Sequence, residues 1–270
     1  MDNNRPIGVF DSGLGGLTAM TELKKLLPDE NFIYFGDSAR IPYGTKSPEV
    51  ITRFALQDMR FLASEGVKAI LVACGSVSSN CLPVLRAEFG KPLFGVVEAA
   101  AEAAAKTAKA KNGRIAVLGT SATVHSNAFP KALSALGSFE IMSVACPMFV
   151  PLVENGHTSA DDVAATAIAE SYLAPIAEFK PDAVILGCTH YPLLSDVISK
   201  FLGDSVLISS GKEAAKALAY ELKSLSLLGS GGGKTVYCTS DDPALFVNGA
   251  KPFLGIEIDE EVRRIDIEKY

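Results

Sequence analysis

The chain has 270 residues, of which 48% are hydrophobic, and a formal net charge of −6 at pH 7. This length and apolar content suffice for two α/β domains of ordinary size, and the negative charge argues against a nucleic-acid surface, which would need a basic stripe. No apolar run approaches the roughly 20 residues of a membrane-spanning helix, and the polar N-terminus does not resemble a signal peptide. We therefore expect a cytoplasmic protein that binds neither nucleic acid nor membranes.

The cysteines do not form a disulfide pattern. Five of them are widely scattered, at positions 74, 81, 146, 188 and 238, and such an odd set is not typical of a disulfide framework. Without a secretion signal the thiols are expected to be reduced, with Cys81 and Cys238 acting as small buried hydrophobic residues. A structural zinc needs four closely arranged ligands, and the sequence contains three histidines and no C-x-x-C pair, so we expect no metal site.

The first half of the chain alternates strand-like apolar runs with segments of helical periodicity. Ser47 and Pro48 are typical of a helix N-terminus, and Pro83 is expected to perturb the helix in which it lies. The predicted strands span 7–10, 31–35, 69–73 and 93–96, and the predicted helices span 17–27, 48–65, 77–89 and 98–111.

A second unit of the same kind begins near Gly113. Segment 113–121 resembles segment 5–13, and it is followed by a predicted strand at 140–144, a helix at 160–179 and a strand at 183–186. Both halves follow the order strand, polar turn, helix, strand, helix, apolar strand and cysteine. This order indicates an internal duplication.

The tail that follows has no third cysteine unit, and we expect it to pack on the first domain. It contains a predicted helix at 212–225, a glycine-rich turn at 229–233, a strand at 235–239 and a helix that begins at 243. Alternating strands and helices predict mostly parallel sheets that are covered on both faces. The predicted fold class is α/β, with two pseudo-symmetric, mostly parallel domains that face one cleft, at residues 1–97 plus 209–270 and 98–208.

Two of the cysteines, Cys74 and Cys188, each end an apolar run. Ligands of parallel α/β sheets bind beyond the carboxyl ends of the strands, where Asp11 is also predicted. Two thiols at equivalent strand ends suggest proton transfer on two faces of one substrate, as a racemase without a cofactor needs, with one thiolate as base and one thiol as acid. A thiolate at neutral pH needs a lowered pKa, from a helix N-terminus or a nearby cation such as His190. Two buried structural cysteines are the alternative that spacing alone leaves open.

A glycine-rich turn, 13–16, follows the first predicted strand. It lacks the third glycine of a dinucleotide fingerprint, because Thr18 stands there. Backbone N–H groups converging at a helix N-terminus predict an anion site, for which a substrate carboxylate is the candidate, with a structural turn as the alternative. The P-loop-like segment 233–235 is rejected, since Leu228 replaces the required first glycine.

Several segments together resemble the bacterial glutamate racemases of the aspartate/glutamate racemase family. They are 11–17, 42–44, the surroundings of Cys74, 146–154 and 186–194, and they cover nearly the whole chain in the right order. The resemblance implies interconversion of L- and D-glutamate without a cofactor, which would supply D-glutamate for peptidoglycan. It also implies two domains around a buried cleft, and relatives of this kind are often homodimers.

The resemblance assigns roles to individual residues. Cys74 would take the α-proton from D-glutamate and Cys188 would take it from L-glutamate, assisted by the polar side chains Asp11, Glu154 and His190. The implied substrate-binding positions are Asp11, Ser12, Pro42, Tyr43, Gly44, Gly75, Ser76, Thr189 and His190.

The sequence departs from the family pattern directly after the first cysteine. Gly75-Ser76 stands where Asn-Thr is usual, so a side-chain amide is lost and substrate affinity and choice are in doubt. Two other functions are weighed against a glutamate racemase. One is racemisation of another acidic amino acid, chiefly aspartate; the other is binding to a protein such as DNA gyrase as an inhibitor.

Overall fold

The computed structural model describes residues 3–270, in which ten strands and twelve α-helices alternate along the chain. The strands are β1 Ile7–Asp11, β2 Phe32–Gly36, β3 Ala69–Val72, β4 Leu93–Phe94, β5 Arg114–Gly119, β6 Glu140–Ala145, β7 Ala183–Leu186, β8 Val206–Ser209, β9 Thr235–Thr239 and β10 Val262–Arg264. The helices are α1 Leu17–Leu26, α2 Pro48–Ser64, α3 Gly75–Asn80, α4 Leu82–Phe89, α5 Val97–Lys109, α6 Ser121–His125, α7 Ala128–Leu136, α8 Phe149–Glu154, α9 Val163–Phe179, α10 Ser195–Leu202, α11 Ser210–Ser224 and α12 Pro243–Leu254.

The strands form two fully parallel sheets. The first has the order β10-β9-β2-β1-β3-β4 and the second has the order β6-β5-β7-β8. The order β2-β1-β3-β4 of the first sheet is repeated by β6-β5-β7-β8 in the second, as an internal duplication predicts. Strand β9 pairs with β2, so the tail extends the first sheet. The predicted α/β fold class, with two parallel sheets, is confirmed.

The two halves exchange a helix. Helix α5 follows β4 of the first sheet but packs on α7 and on strands of the second sheet, whereas α11 follows β8 of the second sheet and packs on α1. The buried face of α5 consists largely of alanines, which permit close packing. We propose domain limits of 1–97 plus 209–270 and 98–208, which place each exchanged helix with the sheet that it covers.

Several local features differ from the sequence prediction. The helix predicted at 77–89 is two helices, α3 and α4, that meet at Cys81, because Pro83 lies in the first turn of α4, where it needs no N–H partner. The long helix α9 begins at Val163 and not at 160, since the Asp162 side chain accepts the N–H of Ala165 as a cap. Strands β8 and β10 and the short helices α8 and α10 were not predicted, and the helix expected between β5 and β6 forms as two short helices, α6 and α7.

None of the helices in residues 3–270 combines the length and the apolar character that a bilayer-spanning segment requires. The core consists of large buried side chains on both faces of both sheets, among them Tyr34, Phe35, Phe129 and Phe149. Because both sheets are parallel, all strands of one sheet end at one edge. The residues that follow β1, β3, β5 and β7 therefore lie at the carboxyl-end edges of the two sheets, where a ligand is expected.

Candidate active site

A cavity of about 430 Å³ lies where the carboxyl ends of the two sheets meet. It is bounded by the loops that follow β1, β2, β3, β5, β6 and β7. Every predicted site residue except Asp11 lines this cavity: Ser12, Pro42, Tyr43, Gly44, Cys74, Gly75, Ser76, Glu154, Cys188, Thr189 and His190. The structure therefore brings together residues that are up to 178 positions apart in the chain.

Cys74 lies between the end of β3 and the first turn of α3, and it is 4% exposed. Its Sγ lies 3.7 Å from the Oγ of Ser12. Burial, together with the negative charge of Asp11, raises the pKa of this thiol to about 12, although hydrogen bonds from Val77 and Ser12 oppose the shift. The start of helix α3 therefore does not offset the effect of burial beside a carboxylate on the pKa of Cys74.

Cys188 follows β7 and has a different neighbour. Its Sγ lies 3.8 Å from Nδ1 of His190, and Nε2 of the same ring lies 3.1 Å from Oε1 of Glu154. Burial by itself lowers the pKa of His190, but the hydrogen bonds with Cys188 and Glu154 and the charges of Cys188 and Asp11 outweigh it and raise the pKa to about 10. The imidazole, whose raised pKa favours the protonated form, thus lies between Sγ of Cys188 and the carboxylate of Glu154.

Asp11 is buried behind the cavity wall, at the end of β1. Its carboxylate accepts the N–H of Gly13 at 3.1 Å and the hydroxyl of Thr189 at 3.4 Å. Burial raises the pKa of Asp11, and these hydrogen bonds together with the charge of His190 oppose the rise. The glycine-rich turn thus holds the carboxylate of Asp11 through Gly13, and binding of a substrate carboxylate by this turn stays a prediction.

Gly15, in the same turn, packs directly against the segment after Cys188. A Cβ atom on Gly15 would lie 2.2 Å from the Thr189 hydroxyl and 2.5 Å from Nδ1 of His190. No side chain fits in this space. The turn after β1 thus supports the loop that carries the second thiol, although the two belong to different sheets.

The departure at position 75 has a structural counterpart. A Cβ atom on Gly75 would lie 2.0 Å from the carbonyl oxygen of Gly187. Gly75 follows Cys74 and Gly187 precedes Cys188, so the two backbones touch beside the two thiols. The space that a larger side chain would need is filled by the opposite half of the molecule, and glycine at 75 allows this contact.

The loop between β2 and α2 forms another wall, with Pro42, Tyr43 and Gly44 facing the cavity. The phenol hydroxyl of Tyr43 is turned away from it and bonds the carboxylates of Asp37 and Asp58. The hydroxyl of Tyr43 is therefore already engaged by two buried carboxyl groups.

Across the cavity, hydroxyl groups link the two halves. Oγ of Ser76 lies 2.9 Å from Oγ1 of Thr120, and Thr120 is 3.0 Å from the hydroxyl of Thr123. A Cβ atom on Gly44 would lie 2.6 Å from Cβ of Thr120. The position of Thr120 after β5 therefore fixes the width of the cavity on this side.

Sequence reasoning missed part of the cavity wall. Thr120 and Ser121 line it, and an apolar stretch with Pro147 and Met148 closes one side. The internal repeat contained a signal for Thr120, because it occupies the position after β5 that Ser12 occupies after β1. The apolar stretch lies next to the predicted Glu154, but nothing in its own composition distinguishes a cavity wall from core.

The charges of the cavity are few. Among its described lining residues, Glu154 and His190 are the only ones with a carboxylate or a basic group. In the part of the chain that the structure covers, no three His, Cys, Asp or Glu side chains are grouped as a metal site would require. A ligand with two carboxylates would be held here mainly by hydroxyl and backbone N–H groups and by the one imidazolium.

Comparison with known proteins extends these observations. The family model described as Asp/Glu/Hydantoin racemase matches residues 14–218. The chain is 43% identical over 255 residues to a protein of Geobacter metallireducens named glutamate racemase, with 93% of each chain covered. It is also 43% identical over 269 residues to a glutamate racemase of Thermus thermophilus, with 99% of each chain covered.

A solved structure agrees with the sequence relatives. The crystal structure of glutamate racemase from Francisella tularensis in complex with D-glutamate superposes with a TM-score of 0.91 at 35% identity, covering 99% of this chain and 100% of that one. The family predicted from the sequence is thereby confirmed. The chain belongs to the Asp/Glu/hydantoin racemase family, and its relatives in Geobacter metallireducens and Thermus thermophilus are named glutamate racemases.

Proposed function

We propose that the protein interconverts L- and D-glutamate by two-base proton transfer between Cys74 and Cys188. The observation that carries the proposal is the placement of these two thiols after the equivalent strands β3 and β7, on the wall of one cavity. In the cytoplasm of a bacterium this activity would supply D-glutamate for peptidoglycan. We further propose a homodimer, which sedimentation of the purified protein would test.

Recognition of glutamate would rely on neutral donors. Both carboxylates of the substrate are negative, and the cavity has no lysine or arginine among its described lining residues. The hydroxyl groups that face the cavity are suited to this task, as charge-assisted hydrogen bonds to carboxylates are stronger than neutral ones. The serine and threonine residues of the lining are Ser12, Thr45, Ser76, Thr120, Ser121 and Thr189.

The first proton transfer from L-glutamate would use the Cys188 side. The His190 imidazolium stabilises a thiolate at Cys188, and this thiolate removes the α-proton. The Cα–H bond breaks, an S–H bond forms, and the electron pair moves into the α-carboxylate to give an enediolate-like intermediate. Donors that face that carboxylate stabilise the developing charge.

The second transfer would use the Cys74 side. With its pKa raised to about 12, Cys74 is a thiol at neutral pH and can donate its proton to the opposite face of the α-carbon. The product is D-glutamate, and Cys74 becomes a thiolate. In the reverse direction this thiolate is the base, and the positive ammonium group of the substrate would favour its formation in the cavity.

Circular dichroism of purified protein with L-glutamate and no added cofactor tests the proposal. We expect the signal to decay to that of the racemic mixture, and a wild-type protein that leaves L-glutamate unchanged would refute it. A panel of L-amino acids in deuterated water separates glutamate from aspartate, because only the true substrate exchanges its α-hydrogen at an enzymatic rate. Replacing both Cys74 and Cys188 by serine is the matched control for exchange that does not depend on the thiols.

A further inference from the structure

A buried ionic cluster lies directly behind the wall that Tyr43 contributes to the cavity. Asp37 follows β2 and Asp58 lies in the middle of α2, and both side chains are 0% exposed. The hydroxyl of Tyr43 contacts both carboxyl groups, at 3.1 Å in the case of Asp58. Arg40 bridges them from the other side, with Nε 2.6 Å from Asp37 and Nη2 3.1 Å from Asp58.

The number of protons in this cluster is restricted by its hydrogen bonds. A phenol hydroxyl has one proton, so Tyr43 can donate to only one of the two carboxyl groups. If both carboxyl groups were ionised, one carboxylate oxygen would face the phenol oxygen with no proton between them. One of the two aspartates must therefore supply the second proton.

The remaining partners show which aspartate this is. Asp37 accepts hydrogen bonds from Arg40 and, through its other oxygen, from the hydroxyl of Ser240 at 2.7 Å, so it is surrounded by donors as an ionised carboxylate should be. Within residues 3–270, Asp58 has the single donor Arg40 besides the phenol. Burial, followed by the negative charge of Asp37, raises the pKa of Asp58 well above its ordinary value.

The cluster is anchored to two further parts of the molecule. Nη1 of Arg40 lies 3.2 Å from a carboxylate oxygen of Glu268, near the C-terminus. The guanidinium also lies 4.2 Å from the ring centroid of Phe54, on the same helix as Asp58. The cluster thus joins the loop after β2 to α2 and to the C-terminal turn.

We propose that Asp58 is a protonated carboxylic acid whose hydrogen bond to Tyr43, relayed to Asp37, positions the substrate-facing loop 42–44. This inference rests on the proposed glutamate racemisation, because it assigns the loop a role in binding that substrate. With one proton on Asp58, the charges of Arg40 and Asp37 cancel, and the cluster satisfies the rule that buried charges are paired. Neither aspartate lines the cavity, and both act on it through Tyr43, so they are positioning residues.

The proposal distinguishes three substitutions. Asp58→Asn keeps the shape and neutrality of the acid, since its amide N–H can donate to Tyr43 while its carbonyl accepts from Arg40. Asp58→Ala removes both bonds. Asp37→Asn makes the same change of atoms as Asp58→Asn but removes the buried negative partner of Arg40, and it is therefore the matched comparison.

Steady-state kinetics on the full chain give the first readout. We expect Asp58→Asn to stay within about twofold of wild type in KM and kcat, whereas Asp58→Ala and Asp37→Asn raise KM for glutamate by about tenfold or more, with a smaller change in kcat. Equal effects of Asp58→Asn and Asp37→Asn would overturn the proposal. So would a loss of kcat without a change of KM in Asp58→Ala.

Infrared spectroscopy gives a second readout. It depends neither on activity nor on whether Asp58→Ala and Asp37→Asn fold. The wild-type minus Asp58→Asn difference spectrum at neutral pH should contain the C=O stretch of one protonated, buried carboxylic acid. Absence of this band overturns the proposal even if racemisation is intact. A wild-type protein that shows the band but does not racemise glutamate would refute the proposed function and support the protonation of Asp58.

Discussion

The two cysteine ends of the cavity have the same backbone origin but opposite electrostatic surroundings. Both follow the strand that lies next to the first strand of its half, β3 in one sheet and β7 in the other. Cys188 is beside the imidazolium of His190, whereas Cys74 is beside the hydroxyl of Ser12 and near the carboxylate of Asp11. Duplication thus explains why two thiols meet at one cavity, and the individual neighbours give each thiol a different charge environment.

Removal of either thiol should have the largest effect. We expect Cys188→Ser to slow proton removal from L-glutamate, and Cys74→Ser to slow removal from D-glutamate, by about 10²–10⁴-fold, because serine is a much weaker acid than cysteine. Each substitution should also impair the other direction, since it removes the acid. Circular dichroism started from each enantiomer measures both rates, and full activity of either variant would refute the two-base scheme.

The electrostatic difference between the Cys74 and Cys188 ends of the cavity is tested by His190→Asn. We expect α-hydrogen exchange of L-glutamate in deuterated water to fall by about 10²-fold, and exchange of D-glutamate to fall less, because only Cys188 loses its cationic partner. His157→Asn is the control, since His157 pairs with Asp162 outside the cavity. An equal fall for both enantiomers, or a loss of thermal stability that accounts for the loss of rate, would favour a structural role for His190.

The substitution Gly75→Ala should affect both cysteine ends of the cavity alike. In Gly75→Ala the new Cβ would meet the carbonyl oxygen of Gly187, so the two backbones beside the thiols must separate. A displacement of about 1 Å can cost up to about 10²-fold in rate, and we expect kcat to fall by at least tenfold in both directions. The control is Ser79→Ala in the same helix, whose hydroxyl has no hydrogen-bond partner among the described residues. Rates unchanged in Gly75→Ala would show that this contact does not set the spacing.

The smallest expected effect concerns the pH dependence of stability. The pKa of His190 is raised from its ordinary value of 6.5 to about 10 in the folded state. The folded protein therefore holds this proton more tightly than the unfolded chain does. Its contribution to stability is fully present below pH 6.5 and is lost as the pH rises towards 10.

Urea unfolding at a series of pH values measures this contribution. Between pH 6.5 and 10 the free energy of unfolding should decrease more steeply for wild type than for His190→Asn. Parallel curves would show that the Cys188 end does not hold a charged imidazole, and the electrostatic difference between the two ends would then be much smaller.

Much of the fold followed from local patterns. The apolar runs at β1, β3 and β7 and the polar residues after them were sufficient to predict parallel strands with Asp11, Cys74 and Cys188 at their ends. Short strands were missed, β8 and β10 among them, because three or four residues contain too little periodicity to distinguish a strand from a loop.

The site was harder to predict where side chains turn away from the expected direction. The hydroxyl of Tyr43 bonds buried aspartates behind the wall, and the glycine-rich turn holds the carboxylate of Asp11. Tyr43 finds its partners after β2 and in α2, whereas the glycine-rich turn binds the carboxylate at the end of the strand before it. The packing that makes Gly75 a contact to Gly187 joins residues from different sheets, so no local pattern contained it.

The sequence by itself determined the α/β alternation, the duplication and the placement of a cysteine at the end of one strand in each half, because these depend on periodicity and on the order of residues along the chain. The tertiary structure alone decided that helices α5 and α11 cross between the halves, that Gly75 meets Gly187, and that the two thiols have different surroundings. The physical reason is that burial and charge act through space: the pKa of Cys74 responds to Asp11, and that of His190 responds to Glu154, from other strands and loops of the fold.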